Sequence, residues 1–239
     1  YMEKILNNVL NAGIKCVVFD FDGVITKRGE ALKDDAFGRM FVQLSSKGDS
    51  GALLAENIRL SVQKFIHGEL IGDRFDVFAD ALNTTHNSKM YTRTSPEVGV
   101  YADVYNQHVQ MLLLEENVYP ETLTALVGLH ERGVPLYVNT ATPVGAAVQS
   151  VGALGLTPYF KDVFGQPQSK VDNLKSVMEH ERVIPKEILF VGDSSGDERA
   201  AVEVGCQFVG VVNVANGWRQ EDKPYPLIER LTELLPMIK

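Results

Sequence analysis

The stretch Lys15-Cys-Val-Val-Phe-Asp-Phe-Asp-Gly-Val-Ile-Thr26 decides the fold of this chain. Its apolar run, Cys16 to Phe19, has the length and the β-branched content of a fully buried strand. Asp20 and Asp22 follow at the carboxyl end of that strand, where ligands bind in open α/β sheets, and Gly23 allows a sharp turn. Because buried carboxylates are expensive to desolvate, we expect a cation beside them. The alternative is an ordinary strand end with an Asp-Gly turn.

The rest of the chain shows two patterns. Between residues 27 and 117, apolar residues recur at helical spacing with almost no strand signal, which predicts a helical insertion of about 90 residues. From Tyr119 onward, strands alternate with helices, which is typical of parallel βαβ units. We therefore predict an α/β fold. Its core is a doubly wound parallel sheet of residues 1–26 and 119–239, with a helical cap domain of residues 27–118 inserted after the first strand.

The individual elements are predicted from periodicity and from turn residues. The insertion helices are Ala31–Leu44, Ala52–Ile66, Arg74–Leu82 and Pro96–Glu116. The later strands are Val134–Asn139, Asp162–Gly165, Glu187–Val191 and Gln207–Val212. The core helices are Met2–Ala12, Pro120–Arg132, a helix from Pro143 to about Leu154, Lys170–Glu181, Glu198–Val204 and Pro226–Leu235.

Composition restricts the classes of function. The 239 residues are 45% hydrophobic and 23% charged, as in ordinary soluble globular proteins. A formal net charge of −8 argues against a general nucleic-acid or anionic-membrane binder, although a metal and local cations still allow a small anionic substrate. Cys16 and Cys206 are interpreted as buried free thiols, so we expect a cytoplasmic protein. We find neither a run of roughly 20 apolar residues nor a signal peptide.

Polar side chains follow several of the predicted strands. Thr140 follows one strand, Lys170 opens a helix after another, and Asp193 and Asp197 lie in Gly192-Asp-Ser-Ser-Gly-Asp197. Because the carboxyl ends of parallel strands meet at one edge, we expect these groups to converge with the first two aspartates. Each residue alone has an ordinary explanation as a helix cap, a turn residue or a solvated lysine. Because all of them lie at the ends of strands, a common functional site is favoured over these separate explanations.

This set of groups suits phosphoryl transfer through an acyl-phosphate. A carboxylate can act as the nucleophile and divide one difficult step into two. Asp20 and Asp193, with a backbone carbonyl, are hard oxygen ligands suited to Mg²⁺. Lys170 would neutralise further charge, and the Thr140 hydroxyl with the N–H groups of the next helix start would donate to phosphate oxygens. Asp22 is placed to protonate the leaving oxygen and later to activate water.

These residues resemble the four motifs of the haloacid dehalogenase (HAD) superfamily of phosphohydrolases. The motifs correspond here to Asp20-Phe-Asp22-Gly23-Val-Ile-Thr26, Thr140, Lys170 and Gly192-Asp193-Ser-Ser-Gly-Asp197. The similarity covers the opening strand and most of residues 119–215. It implies a HAD-like, Rossmann-like core with a helical first-position (C1) cap that covers the active site. It also implies two hinge strands, near Ile25–Arg28 and Asn117–Pro120.

The resemblance also implies the roles of individual residues. Asp20 would be the nucleophile and Asp22 the acid/base, with Lys170 as the third catalytic residue. Mg²⁺ would be held by the Asp20 carboxylate, the Asp22 carbonyl and Asp193, with Asp197 supporting. The predicted phosphate-binding residues are Thr140, Ala141, Lys170 and Gly23. The chain departs from the family at Lys27-Arg28, where Asp-Ser or Asp-Thr is common, and at Ala141, where Asn is common.

The resulting hypothesis is a Mg²⁺-dependent phosphatase that hydrolyses a small phosphate monoester through an aspartyl-phosphate. A sugar-phosphate mutase similar to β-phosphoglucomutase, a phosphonatase and a non-catalytic phospho-ligand-binding domain stay as alternatives. Dehalogenation is disfavoured because Asp22 is present. We expect a small phosphorylated metabolite as partner, no nucleic acid or membrane, and a monomer or homodimer. A further hypothesis is that Lys27 and Arg28 contact a second anionic group, and exposed hinge cations are the alternative.

Overall fold

The structure, a computed structural model, describes residues 13–27, 29–116, 118–213 and 216–238. The chain divides into two compact units. One comprises Tyr1–Glu30 with Glu116–Lys239, and the other comprises Ala31–Glu115. The predicted helix Met2–Ala12 lies outside the described residues. No helix in the described ranges has the length and apolar character needed to cross a membrane.

The first unit is built on a six-stranded parallel sheet. Its strands are β1 (Cys16–Phe19), β2 (Leu136–Pro143), β3 (Asp162–Gln166), β4 (Ile188–Gly192), β5 (Gln207–Val211) and β6 (Leu227–Ile228). They lie in the order β3-β2-β1-β4-β5-β6, so β1 is central and pairs in parallel with β2 and β4. Its helices are α5 (Pro120–Glu131), α6 (Val144–Ala153), α7 (Lys170–Glu181) and α8 (Ser195–Val204). The predicted α/β fold with a parallel sheet is confirmed.

Two apolar cores lie on opposite faces of this sheet, because side chains alternate along each strand. In β1, Val17 and Phe19 join the core that contains Leu126 and Leu129 of α5. Cys16 and Val18 join the core that contains α7 and α8 residues such as Leu174, Val177 and Ala200. Every residue of β1 is fully buried. Burial on both faces explains why this strand is a continuous apolar run rather than an alternating pattern.

The second unit is helical throughout its described residues. Its helices are α1 (Gly29–Ser45), α2 (Asp49–Ile66), α3 (Arg74–Thr85) and α4 (Pro96–Glu116). Helix α3 begins with a capping box, in which Asp73 accepts from the Phe75 amide and Asp76 accepts from the Asp73 amide. The helices α2 and α3 are also joined by Asp80, which accepts from Ser61 at 2.7 Å and from Lys64 at 2.9 Å. The predicted helices of the insertion are confirmed to within a few residues.

Three local predictions were wrong. The predicted helix Pro226–Leu235 is instead β6 followed by a 3₁₀ turn at Leu231–Leu234. The open edge of β5 explains the difference, because the Gly210 amide donates to the Pro226 carbonyl and the Val212 amide to Ile228. Strand β2 continues to Pro143 through an irregularity in its pairing, instead of ending at Asn139. Helix α8 begins at Ser195, three positions before the predicted start, because Ser194 caps it.

The two predicted hinge strands, near Ile25–Arg28 and Asn117–Pro120, are also absent from the residues that the structure describes there. Residues 25–27 contain only an isolated bridge between Thr26 and Asp22, and α5 already begins at Pro120. The turn after β1 is closed by its own backbone, since the Thr26 amide donates to Phe21 at 3.0 Å and the Gly23 amide to Thr26 at 2.7 Å. These local hydrogen bonds take the place of strand pairing. Arg28 and Asn117 lie outside the described residues.

Glu181 at the end of α7 is expected to make the stability of the fold depend on pH. It accepts hydrogen bonds from the Tyr137 hydroxyl and, at 2.8 Å, from Lys161. Burial alone would raise the pKa of Glu181, but these donors lower it below the ordinary 4.5. The resulting stabilisation is therefore present above about pH 4.5 and is lost as pH falls through the lowered pKa.

We expect Glu181→Gln to lower the free energy of unfolding by about 1 kcal/mol at pH 7, and by less at pH 4. Urea unfolding at both pH values measures this difference. Glu179→Gln, an exposed position on the same helix, is the matched control and should change little. An equal loss at the two pH values would show that the charge of Glu181 is not what stabilises the fold.

Candidate active site

Asp20 lies immediately beyond the central strand and is buried. Its amide donates to the Val191 carbonyl of β4 at 2.8 Å, which extends the β1–β4 pairing by one residue. The register pairs Phe19 with Val191 and with Val138 of β2. Asp20 therefore leaves the sheet between the ends of β2 and β4, as the sequence predicts.

Lys170 joins two carboxylates that are far apart in sequence. Its Nζ lies 2.8 Å from Asp20 Oδ1 and 2.5 Å from Asp197 Oδ1, and only 16% of its side chain is exposed. Burial alone would lower the pKa of Lys170, but the two carboxylates raise it. Burial raises the pKa of Asp20 to about 7 although Lys170 opposes that shift. Lys170 is therefore a buried ammonium that offsets part of a concentrated negative charge.

Asp197 is completely buried and is held on both oxygens. Oδ1 binds Lys170, while Oδ2 accepts from the Ser194 amide at 3.1 Å and from the Ser194 hydroxyl at 2.5 Å. This is the capping box of α8. A Cβ at Gly192 would lie 2.4 Å from the Asp197 Cβ, so only glycine fits there. The Gly-Asp-x-x-x-Asp spacing thus brings Asp197 back beside the end of β4.

Asp193 contacts the turn after β1. A Cβ at Gly23, where φ is +83°, would lie 2.0 Å from Asp193 Oδ2. Glycine is therefore required at position 23 both by its left-handed backbone and by the close approach of this carboxylate. Asn213 donates to Asp193 Oδ2 at 2.5 Å. Burial raises the pKa of Asp193 to about 6.

The residues in the last part of β2 are less tightly clustered. Thr140 is buried, and its Oγ1 accepts from the Thr142 amide at 3.1 Å. The Thr142 hydroxyl makes a long 3.4 Å hydrogen bond to Asp22 Oδ2, which joins this strand end to the turn after β1. Asp22 is half-buried and Ala141 is exposed. The half-buried position of Asp22 keeps it accessible to a ligand.

The acidic cluster fits a hard divalent cation. One carboxylate oxygen each from Asp20, Asp193 and Asp197 lies within 4.8 Å of the others. Burial, with the charge of Asp197, raises the pKa of Asp20 and of Asp193 although Lys170 lowers both. A cation that takes oxygen ligands, such as Mg²⁺, would stabilise the ionised carboxylates. Asp20 and Asp193 are the ligands that the contacts favour, because Asp197 already binds Lys170 and Ser194.

The sequence analysis did not identify Asn139, Asn173 and Asn213, whose side chains support these groups. Asn139 donates to the Lys170 carbonyl at 2.9 Å and accepts from Asn173 at 2.9 Å, and both amides are buried. They join the start of α7 to the middle of β2. Asn139 was detectable as a polar residue inside an apolar strand. Asn213 carried no such signal, since its partner Asp193 lies 20 positions earlier in sequence.

Lys27 does not support the hypothesis of a second anion site. Its ammonium binds Glu121 and lies 4.7 Å from the centre of the Tyr119 ring. Its own charge is thus already partnered on the surface of the first unit. The alternative reading of exposed hinge cations is favoured for Lys27.

Comparison with known proteins identifies hydrolases and phosphatases as similar to this chain. A family model described as haloacid dehalogenase-like hydrolase matches residues 14–205. The chain is 32% identical over 113 residues to a phosphoglycolate phosphatase of Rhodobacter capsulatus, covering 46% of this chain and 51% of that protein. It is 28% identical over 203 residues to a phosphoglycolate phosphatase of Neisseria gonorrhoeae, covering 83% of this chain and 80% of that protein. The chain therefore spans about half the length of the curated relatives that it matches at more than 30% identity.

A similar fold is found among solved structures. A β-phosphoglucomutase from Clostridium difficile superimposes with a TM-score of 0.58 at 18% identity, covering 92% of this chain and 93% of that one. At this level of identity the likeness concerns the fold alone.

Proposed function

Because the chain belongs to the haloacid dehalogenase-like hydrolases, we propose that it is a Mg²⁺-dependent phosphatase of a small phosphate monoester. The observation that carries this proposal is the placement of Lys170 between Asp20 and Asp197, with Asp193 beside them. The named relatives are phosphoglycolate phosphatases, which favours a short phosphorylated carboxylate as the first substrate to test.

Asp20 is the proposed nucleophile. A carboxylate oxygen attacks phosphorus, the bond between phosphorus and the leaving oxygen breaks, and an aspartyl-phosphate forms. Lys170 holds the Asp20 carboxylate at 2.8 Å and balances charge as the dianionic phosphate approaches. Asp197 supports this geometry by fixing the ammonium from its other side at 2.5 Å. When bound, Mg²⁺ supplies Lewis-acid stabilisation of the phosphoryl oxygens.

Asp22 is the proposed acid and base. It gives its proton to the leaving oxygen in the first step. In the second step it removes a proton from water, whose oxygen attacks phosphorus and releases phosphate with the Asp20 carboxylate restored. The Thr142 hydroxyl at 3.4 Å orients this carboxylate without burying it. Thr140, Ala141 and the start of α6 are the proposed donors to the phosphate oxygens.

The metal site proposed here consists of the carboxylates of Asp20 and Asp193 and the main-chain carbonyl of Asp22, with Asp197 in support. These are oxygen ligands of the type that Mg²⁺ prefers, and the two carboxylates come from adjacent strands β1 and β4. Gly23 contributes by admitting Asp193 to the turn.

The test is phosphate release from a panel of monoesters that includes 2-phosphoglycolate and several sugar phosphates. Each substrate is assayed with Mg²⁺, with EDTA, and with Mg²⁺ restored. We expect release that EDTA abolishes and Mg²⁺ restores. A parallel assay follows isomer conversion of a hexose 1-phosphate primed by a bisphosphate. Conversion without net phosphate release would identify a mutase instead. Substrate binding without either reaction would identify a non-catalytic domain.

A further inference from the structure

Two asparagines after β5, Asn213 and Asn216, contact Asp193 at different atoms. The Asn213 side chain donates to the carboxylate Oδ2 of Asp193 at 2.5 Å. The Asn216 side chain donates to the main-chain carbonyl of Asp193 at 2.9 Å and to the carbonyl of Val211 at 2.8 Å. The side chain of Asp193 is therefore held by Asn213, and its backbone is held by Asn216.

The two asparagines also hold each other. The main-chain amide of Asn216 donates to Asn213 Oδ1 at 2.9 Å, and the main-chain amide of Asn213 donates to Asn216 Oδ1 at 3.2 Å. The Trp218 amide donates to the same Asn216 oxygen at 3.2 Å. Because the nitrogen and the oxygen of each side-chain amide both take part in these contacts, the network determines the orientation of Asn213 toward Asp193.

Asp193 has little freedom left on its other side. Its Oδ2 lies against Gly23 so closely that a methyl group there would overlap it. A donor on Oδ2 fixes the plane of the carboxylate and favours Oδ1 as the oxygen offered to a cation. Partners of metal-binding carboxylates typically change metal affinity or activity 10- to 100-fold when removed.

From this network we infer that Asn213 is a positioning residue for the cation site, which holds Asp193 in its metal-binding orientation. The inference rests on the proposed function, because it assumes that Asp193 binds Mg²⁺. Asn216 acts one step further away by holding Asn213 and the Asp193 backbone. Neither asparagine is part of the motifs that identify the family.

The chain contains one tryptophan, Trp218, whose amide belongs to this network. Calorimetry measures Mg²⁺ binding without a substrate, and the fluorescence of Trp218 is recorded as a second readout. We expect Asn213→Ala to raise the Mg²⁺ Kd by about 10- to 100-fold. Asn213→Ser, which keeps a shorter donor, should give a smaller increase.

A second readout separates positioning from a general structural effect. If Asn213 acts through metal affinity, excess Mg²⁺ should restore the kcat of Asn213→Ala to within about threefold of the wild-type value. Asn83→Ala is the matched control. The Asn83 side chain also holds a loop by its backbone, since it donates to the Tyr91 carbonyl and accepts from the Tyr91 amide. It lies in the helical unit. Its loss should lower the melting temperature without changing the Mg²⁺ Kd.

The outcomes are distinguishable. An unchanged Mg²⁺ Kd in folded Asn213→Ala would overturn the inference while leaving the proposed function intact. Wild-type protein that shows no Mg²⁺ binding by fluorescence or calorimetry would overturn the proposed metal dependence itself. A loss of kcat that excess Mg²⁺ does not restore would reassign Asn213 to a structural role.

Discussion

Asp20→Asn is expected to lower phosphate release by at least about 10³-fold, because an amide cannot form the acyl-phosphate. The backbone hydrogen bond from residue 20 to Val191 does not depend on the side chain, and Lys170 keeps Asp197 as a partner. The variant should therefore fold. The measurement is kcat for the best monoester of the panel, with a thermal melt to verify folding and mass spectrometry to verify the amide.

A direct probe strengthens this test. Acid quenching during turnover should trap phosphate on the wild-type chain and none on Asp20→Asn. Asp162→Asn is the matched control, since Asp162 is an exposed aspartate at the opposite, amino-terminal end of β3. It should leave kcat unchanged. Equal rates in wild type and Asp20→Asn would refute the nucleophile assignment.

Gly23→Ala is expected to lower activity by at least about 10²-fold, because the added methyl group displaces a proposed metal ligand. The Cβ would lie 2.0 Å from Asp193 Oδ2, on a backbone with φ of +83°. Stability should also fall, by about 2–4 kcal/mol from overlap and backbone strain together. Urea unfolding and the Mg²⁺ titration measure the two effects separately.

Gly133→Ala separates the two causes. Gly133 has a similar φ of +73°, but nothing lies within 4 Å of a Cβ built there. This variant should lose about 1–2 kcal/mol from backbone strain alone and keep its activity and Mg²⁺ affinity. If Gly133→Ala and Gly23→Ala behaved alike, the contact between Gly23 and Asp193 would have no functional weight.

The convergence of the site was predictable because parallel strands share their carboxyl ends. Asp20 lies 150 positions before Lys170, and Asp197 lies 27 positions after it. The strand-end rule nevertheless places them together, and in the structure both carboxylates lie within hydrogen-bond distance of Lys170. The rule needs only the order of strands and helices, and periodicity supplies that order. It does not need side-chain packing.

The features that were missed depend on packing between segments. The stretch Pro226–Leu235 has helical periodicity, which is why a helix was predicted there. Its first residues form β6 instead because they pair with the edge of β5. The contact between Asn213 and Asp193 was missed for a similar reason, since a lone asparagine in a loop predicts only a turn. Its partner becomes visible once β4 and β5 are seen to be neighbours. Tertiary context decided both cases.

The central position of β1 has a consequence for thiol chemistry. Burial raises the pKa of both Cys16 and Cys206 to about 12. At pH 8 only about one thiol in ten thousand is then ionised, and the thiolate is the form that alkylating reagents attack. Cys16 is fully buried in the central strand β1, whereas Cys206 lies immediately before β5 and is partly accessible. Pulsed alkylation followed by mass spectrometry should therefore time the opening of the molecule, with modification of Cys16 marking disassembly of the sheet interior.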